Sequence, residues 1–402
     1  MKYTDYVNTN YSPKRSDLIC DFYIEPMRAS LKEAAGAVAA ESSIGTWAEI
    51  ETKSYVKRLS AKVFEAHGAE IRIAYPIELF EAGNMPNMLS SVAGNVFGMK
   101  IVKNLRLNDI KIPEKLARSF KGPKHGIGGI RKLLGVKKRP LVGTIIKPKL
   151  GLVTEDHAKK AFDAWVGGCD IVKDDENLSS QKFNPFKRRL EKTLRLRDKA
   201  ERLTGEKKIY MINVTAETNE MLRRAKLAKR NGCEYAMIDI ISAGWSALQT
   251  LREQELGLVI HAHRAGHAAL TKNAKHGISM KVIAKLSRIV GVDQLHVGTV
   301  VGKMSETREE VLENCGALKD GMYGIKPCMP VASGGLHAGM VPELIRIFGN
   351  DFVIQAGGGI HSLGTVAGAK SMRQAVDAVL DGIALRDYAK NHKELGLALK
   401  KF

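Results

Sequence analysis

Residues 167–177 carry an apolar, strand-like run straight into Lys173, Asp174, Asp175 and Glu176. Side chains alternate faces along a strand, so Lys173 and Asp175 share one face and Asp174 takes the other. Glu176 follows the strand end, where a turn can swing it back toward the first pair. Two carboxylates and an amine then converge at a strand tip. Carboxylate oxygens suit a hard cation such as Mg²⁺, but an ammonium beside that cation does not. The combination makes sense if Lys173 is neutral or has been converted to an anion. A lysine neutralised by flanking acids on a solvated loop is the commoner outcome of such a run, and the run alone favours it.

Other short apolar runs also end in groups that can do chemistry. Lys147 and Lys149 flank Pro148. On one face of an extended segment their repulsion is expected to depress at least one pKa, which suits proton transfer near neutrality. A solvated basic turn is the plainer alternative, disfavoured by the apolar residues on either side (Ile145-Ile146 and Leu150-Gly151-Leu152). His261 and His263 share a face and are followed by Arg264 and His267. They lack a third soft ligand, and phosphate binding or polarisation of a hydroxyl fits equally well. His261 by itself reads as a hydrogen-bonded core histidine. His296 precedes Gly298 and Gly302-Lys303, a pattern suited to a mobile loop that carries a cation over a ligand. Ser333-Gly334-Gly335 and Gly357-Gly358-Gly359 offer backbone N–H groups to phosphate oxygens. Two lookalikes are set aside. Residues 126–131 lack the third glycine of a dinucleotide fingerprint, and residues 298–304 fall one short of a P-loop with Met304 at the hydroxyl position.

These residues need elements to hold them. Eight β-type runs occur at 141–146, 171–173, 209–214, 235–241, 258–261, 294–297, 326–331 and 352–355. Between them lie helix-suited stretches, among them 155–165, 220–231, 280–290, 309–319, 341–348 and 366–380. This alternation predicts an α/β fold, a (β/α)8 TIM barrel over 141–402. A doubly wound open sheet also alternates. The count of eight and the polar residues after nearly every strand favour the barrel, whose strand ends share one mouth. Residues 1–120 read as an N-terminal α+β (ferredoxin-like) domain, with strands at 18–24 and 71–80 and helices at 31–40, 55–66 and 88–97. A Gly- and Lys-rich linker at 121–140 joins the two.

Composition bounds the rest. The 402 residues are 44% hydrophobic and 26% charged, an ordinary globular balance. No run approaches the roughly 18 apolar residues of a membrane span, and the N-terminus carries no export signal. The five cysteines are scattered without metal or disulfide spacing, which fits reduced thiols in a cytoplasmic protein. Lys and Arg number 63 against 43 Asp and Glu, a net charge of +20 that favours polyanions. The basic runs at 137–139 and 187–189 have no aromatics to stack on bases, so a generally basic surface is preferred to a nucleic-acid site. Together the residues describe a barrel enzyme with a divalent metal, a lysine acid/base and a phosphorylated substrate. Two separated anion sites suggest that it is a bisphosphate.

Taken in order, these motifs closely resemble the large subunit of ribulose-1,5-bisphosphate carboxylase/oxygenase (RuBisCO), in its archaeal form III branch. The resemblance rests on residues 143–151, 167–177, 261–267, 296–303, 333–335 and 357–359, with 41–47 and 94–98 in the N-terminal domain. It implies that an activator CO₂ carbamylates Lys173, and that the carbamate, Asp175 and Glu176 bind Mg²⁺. The metal would polarise the sugar carbonyl and hydroxyl and stabilise the enediolate. The carbamate would take the C3 proton with help from His263. CO₂ (or O₂) would then add, and hydration and cleavage would give two 3-phosphoglycerates. Lys147 would protonate the last carbanion with Lys149 holding its pKa down, and Lys303 would close over the new carboxylate. Arg264, His296 and Ser333 would hold one phosphate; Thr46, Trp47, Gly335, Gly357 and Gly358 the other, with Gly334 also at the substrate. Glu41, Thr46, Trp47 and Asn95 would come from the partner subunit, making a homodimer the minimum active unit, without small subunits or a membrane. The form III likeness implies a role in salvage of nucleotide ribose.

This chain departs from the family pattern in places. Residues 360–364 lack the usual His-Pro, Gly266 replaces a methionine, and Met304-Ser305-Glu306 stands where an acid-glycine pair is common. The segment that latches the lid in plant-type enzymes is not expected after the last barrel helix. These departures bear on lid closure, rate and CO₂/O₂ selectivity. A RuBisCO-like enolase or isomerase acting on another sugar phosphate is the alternative, disfavoured by the presence of Lys147, Lys303, Thr46, Asn95 and both phosphate sites. A nucleic-acid-binding protein is a third reading, motivated by charge alone.

Overall fold

A computed structural model describes residues 1–302 and 306–402. The chain forms two compact units, one of residues 1–122, 266–290 and 322–325 and one of the remainder.

The first unit is built on β1 (Leu18–Pro26), β2 (Lys62–His67), β3 (Glu70–Tyr75) and β4 (Val102–Lys111). β3 and β4 pair antiparallel with the two edges of β1, and β2 extends the sheet beyond β3. The helix Leu31–Glu41 starts at a capping box between Ser30 and Glu33 and buries its small residues Ala34 to Ala40. The helix expected over 55–66 is not found. Only the single turn Ser54–Lys57 is helical, and β2 takes the stretch from Lys62 onward. Val63 pairs with Ile73 and Ala66 with Ile71. The two-residue connection Gly68-Ala69, with Gly68 at φ +57°, closes a tight hairpin that outweighs helical spacing.

The second unit contains β5 (Leu141–Ile145), β6 (Ile171–Lys173), β7 (Ile209–Asn213), β8 (Tyr235–Asp239) and β9 (Val259–His263). β10 (Gly277–Ile278) belongs to the first unit, where it pairs parallel with β4. The second unit resumes with β11 (Gln294–His296), β12 (Met329–Ser333) and β13 (Val353–Ala356). These eight strands run parallel and close, β13 pairing with β5 through Val353 and Leu141, so the sheet is a barrel and not an open doubly wound sheet. Alternate residues fill the interior: Ile209 and Met211, Tyr235 and Met237, Met329 and Val331. Residues 121–140 include the helix Gly126–Leu134, whose Ile130 and Leu134 join this interior cluster. Of residues 121–140, all but the first two belong to the second unit. Among the described residues no helix is long and apolar enough to cross a membrane.

Candidate active site

Parallel strands in a closed barrel deliver their C-terminal ends to one mouth, and six of the eight here end in a polar residue: Lys173, Asn213, Asp239, His263, His296 and Ser333. β6 delivers Lys173, whose side chain is wholly buried, as are those of Asp174 and nearly so Asp175. Lys173 Nζ donates to the Asp174 carbonyl oxygen (2.8 Å) and lies 3.4 Å from Glu176 Oε2 and 3.1 Å from Met237 Sδ. Burial pushes the lysine below its ordinary pKa, opposed by the charges of Glu176 and Asp175. Burial would raise the Glu176 carboxyl, but Lys173 and His263 outweigh it and hold it down at about 2.

Lys147, just past β5, donates from Nζ to Asp175 Oδ2 at 2.7 Å; Lys149 is exposed. A Cβ at Gly357 would lie 3.3 Å from Lys147 Cε, so the glycine after β13 leaves the lysine its room. His263, at the end of β9, has Nε2 3.6 Å from Glu176 Oε2 and Nδ1 3.7 Å from Asp239 Oδ2. His296 Nδ1 hydrogen-bonds the Ser333 hydroxyl (2.7 Å), linking the ends of β11 and β12. Its Nε2 meets His261 Nε2 at 2.9 Å, and His261 Nδ1 meets Gln294 at 3.1 Å. Burial pushes both imidazoles well below their ordinary pKa. Arg264 is buried and donates to Glu306.

Lys147, Lys173, Asp175, Glu176 and His263 are therefore brought together. Gly334 and Gly335 follow β12 in left-handed conformations (φ +119° and +78°), and Gly358 opens the short helix Gly358–His361. Glu41, Thr46, Trp47 and Asn95 lie in the first unit: Glu41 accepts from the Tyr3 hydroxyl (3.1 Å), and Trp47 and Asn95 are exposed. Lys303 lies outside the described residues.

Three supporting groups were given no role from sequence. Asp174 turns away from the mouth and accepts from Tyr210 (2.7 Å), Arg189 Nε (3.1 Å) and the Asn213 backbone (3.1 Å), with His157 Nε2 also at 3.1 Å. Burial opposes its ionisation, but Arg189 and His157 bring it well below the ordinary carboxylate range. Asn213 donates its side-chain amide to the carbonyls of Glu176 and Leu178, both at 3.0 Å, pinning the turn that carries Glu176. A polar residue closing an otherwise apolar strand was the available signal. His361 Nε2 lies 2.9 Å from the Ile145 carbonyl, just below Lys147, and burial pushes its pKa down to about 4.

The family model for the ribulose bisphosphate carboxylase large chain catalytic domain matches residues 126–402, and that for the large chain N-terminal domain matches 5–116. The chain belongs to the RuBisCO large-chain family. A ribulose bisphosphate carboxylase of Methanosarcina mazei is 54% identical, over 99% of each chain, and one of Pyrococcus abyssi 51%, over 100% of this chain and 96% of that one. The octameric RuBisCO of Pyrococcus horikoshii, solved with sulfate, superposes with a TM-score of 0.97 at 50% identity, covering 100% of this chain and 97% of that one. The dimeric RuBisCO of Hyperthermus butylicus gives 0.94 at 44% identity, covering 100% and 99%.

Proposed function

We propose that the protein carboxylates ribulose 1,5-bisphosphate to two molecules of 3-phosphoglycerate, and oxygenates it in competition. The observation that carries the reading is the fully buried Lys173 amine set against Glu176, with Asp175 beside it, at a strand end of the barrel mouth. Among the described residues no three His, Cys, Asp or Glu side chains gather to hold a metal. Asp175 and Glu176 alone offer too few oxygens for a tightly held hard cation. A carbamate on Lys173, formed when the amine nitrogen attacks activator CO₂ and loses a proton, supplies the missing anionic oxygens. The residues therefore fit Mg²⁺ held by carbamylated Lys173, Asp175 and Glu176. When bound, the ion supplies Lewis-acid polarisation of the sugar carbonyl and neighbouring hydroxyl.

The chain's own groups do the remainder. A carbamate on Lys173 would supply the base for the C3 proton, and His263 would move the proton of the neighbouring hydroxyl. After CO₂ adds at C2 and water cleaves C2–C3, Lys147 returns a proton to the carbanion; its contact with Asp175 keeps it at the metal site. Lys149 assists from the adjacent turn, and Lys303 stabilises the new carboxylate. Arg264, His296 and Ser333 hold one phosphate. Gly335, Gly357 and Gly358 hold the other with Thr46 and Trp47, and Gly334 lies beside the substrate. Glu41, Thr46, Trp47 and Asn95 reach the site from a second copy, so a homodimer is the smallest active form, without small subunits. We further propose that it works in the cytoplasm on substrate drawn from nucleotide ribose, with the 121–140 segment joining the N-terminal domain to the catalytic one.

The test is incorporation of labelled CO₂ into acid-stable product after preincubation with Mg²⁺ and bicarbonate, with Lys173→Ala alongside. Label in 3-phosphoglycerate from the wild type and none from the variant is expected. A folded wild type that incorporates none contradicts the reading and favours an enolase acting on another sugar phosphate.

A further inference from the structure

Arg264 lies immediately past β9, and its buried guanidinium donates from Nη2 to Glu306 Oε1 at 2.6 Å, the two side chains being 6% and 12% exposed. Arg264 Nη1 is also buried and has no hydrogen-bond partner among the described residues, and neither has the buried Thr299 hydroxyl. The pair lies against Gly298, where a Cβ would sit 3.4 Å from the Glu306 carboxyl carbon and 3.5 Å from Arg264 Nη2, both ordinary contacts. Glu306 is held from behind. Thr307 caps the helix Arg308–Lys319, accepting from the Glu310 backbone (3.2 Å) while Glu310 Oε2 accepts from the Thr307 backbone (2.9 Å).

A guanidinium binds carboxylate and phosphate oxygens through the same N–H fork. With one N–H edge taken by Glu306, an incoming phosphate meets a fork half occupied by another anion in a buried site. Like charges so placed repel strongly. The unpartnered Nη1 is a donor that such a phosphate would complete.

We propose that Glu306 is a tethered competing anion: it occupies the phosphate face of Arg264, and a phosphate monoester binds there by displacing it. The inference rests on the reading of Arg264 as a phosphate ligand. Glu306 then sets the affinity of this subsite. It holds a buried arginine neutralised when no substrate is present and raises the substrate concentration needed to fill the site.

Inorganic phosphate titrated calorimetrically into the full-length wild type and Glu306→Gln, at constant ionic strength, tests this directly. The glutamine variant is expected to bind phosphate roughly ten-fold more tightly, as loss of one charge-assisted competitor implies. Arg264→Gln added to that variant removes the gain. Glu306→Asp, one methylene shorter but still charged, falls between wild type and Gln and gives a second reading should Gln fold poorly. In the carboxylase assay KM for the bisphosphate falls by a similar factor in Glu306→Gln. Phosphate affinity unchanged, weakened or undetectable in Glu306→Gln overturns the proposal and leaves Glu306 as a structural counterion. Tighter phosphate binding by a protein that fixes no CO₂ leaves the proposal standing and removes the carboxylase reading; CO₂ fixation with unaltered phosphate binding does the reverse.

Discussion

At the scale of single residues, the site is organised by what each charge is placed against. Lys173 is buried with carboxylates in front, and Asp174, its neighbour, faces the opposite way into Arg189, His157 and Tyr210. That second cluster fixes the backbone from which Lys173, Asp175 and Glu176 project. Breaking one side of a buried ion pair leaves an uncompensated charge. Asp174→Asn is therefore expected to lower unfolding stability by about 3–5 kcal/mol, read from urea denaturation at neutral pH. A loss within the scatter of ordinary surface substitutions would contradict the anchoring role. The alternation that separates Lys173 and Asp175 from Asp174 was legible in the sequence. The partners of Asp174 were not, because they sit on two helices and a neighbouring strand and only folding assembles them.

At the scale of elements, the strand ends are coupled across the barrel. His261 on β9 and His296 on β11 hydrogen-bond each other, and His296 continues to Ser333 on β12. Burial, with further opposition from Lys173, His263 and, for His296, Arg264, holds both imidazoles neutral. In the unfolded chain each takes a proton as pH falls through about 6.5. The unfolded state then binds more protons, so stability is present above that pH and lost below it. Folding free energy from urea curves at pH 7, 6 and 5 should fall by up to about 1.4 kcal/mol per pH unit for each histidine, and the slope should shrink in His261→Asn. An unchanged slope in the variant would show that other groups govern acid lability. The barrel's alternation and the charged strand ends were legible because a buried parallel strand is apolar until it reaches the mouth. The first strand of the β2–β3 hairpin was misread as a helix: it is an edge strand, only partly buried, and its apolar residues also fit a helical spacing.

At the scale of the whole molecule, the candidate residues divide between two units of one chain, with Lys147, Lys173 and the strand-end groups in the barrel and Glu41, Thr46, Trp47 and Asn95 in the other. The order of motifs along the chain made the family legible at once. Contacts such as Arg264 with Glu306, spanning 42 residues, were not, since neither residue's local sequence refers to the other. The proposed conversion of the Lys173 amine into an anionic ligand can be measured on Lys173 itself. Protein incubated with ¹³C-bicarbonate and Mg²⁺, chemically trapped and mapped by mass spectrometry, should carry the label at Lys173, and Asp175→Asn with Glu176→Gln should abolish its retention. A folded wild type with unmodified Lys173 at saturating CO₂ and Mg²⁺ would contradict the account.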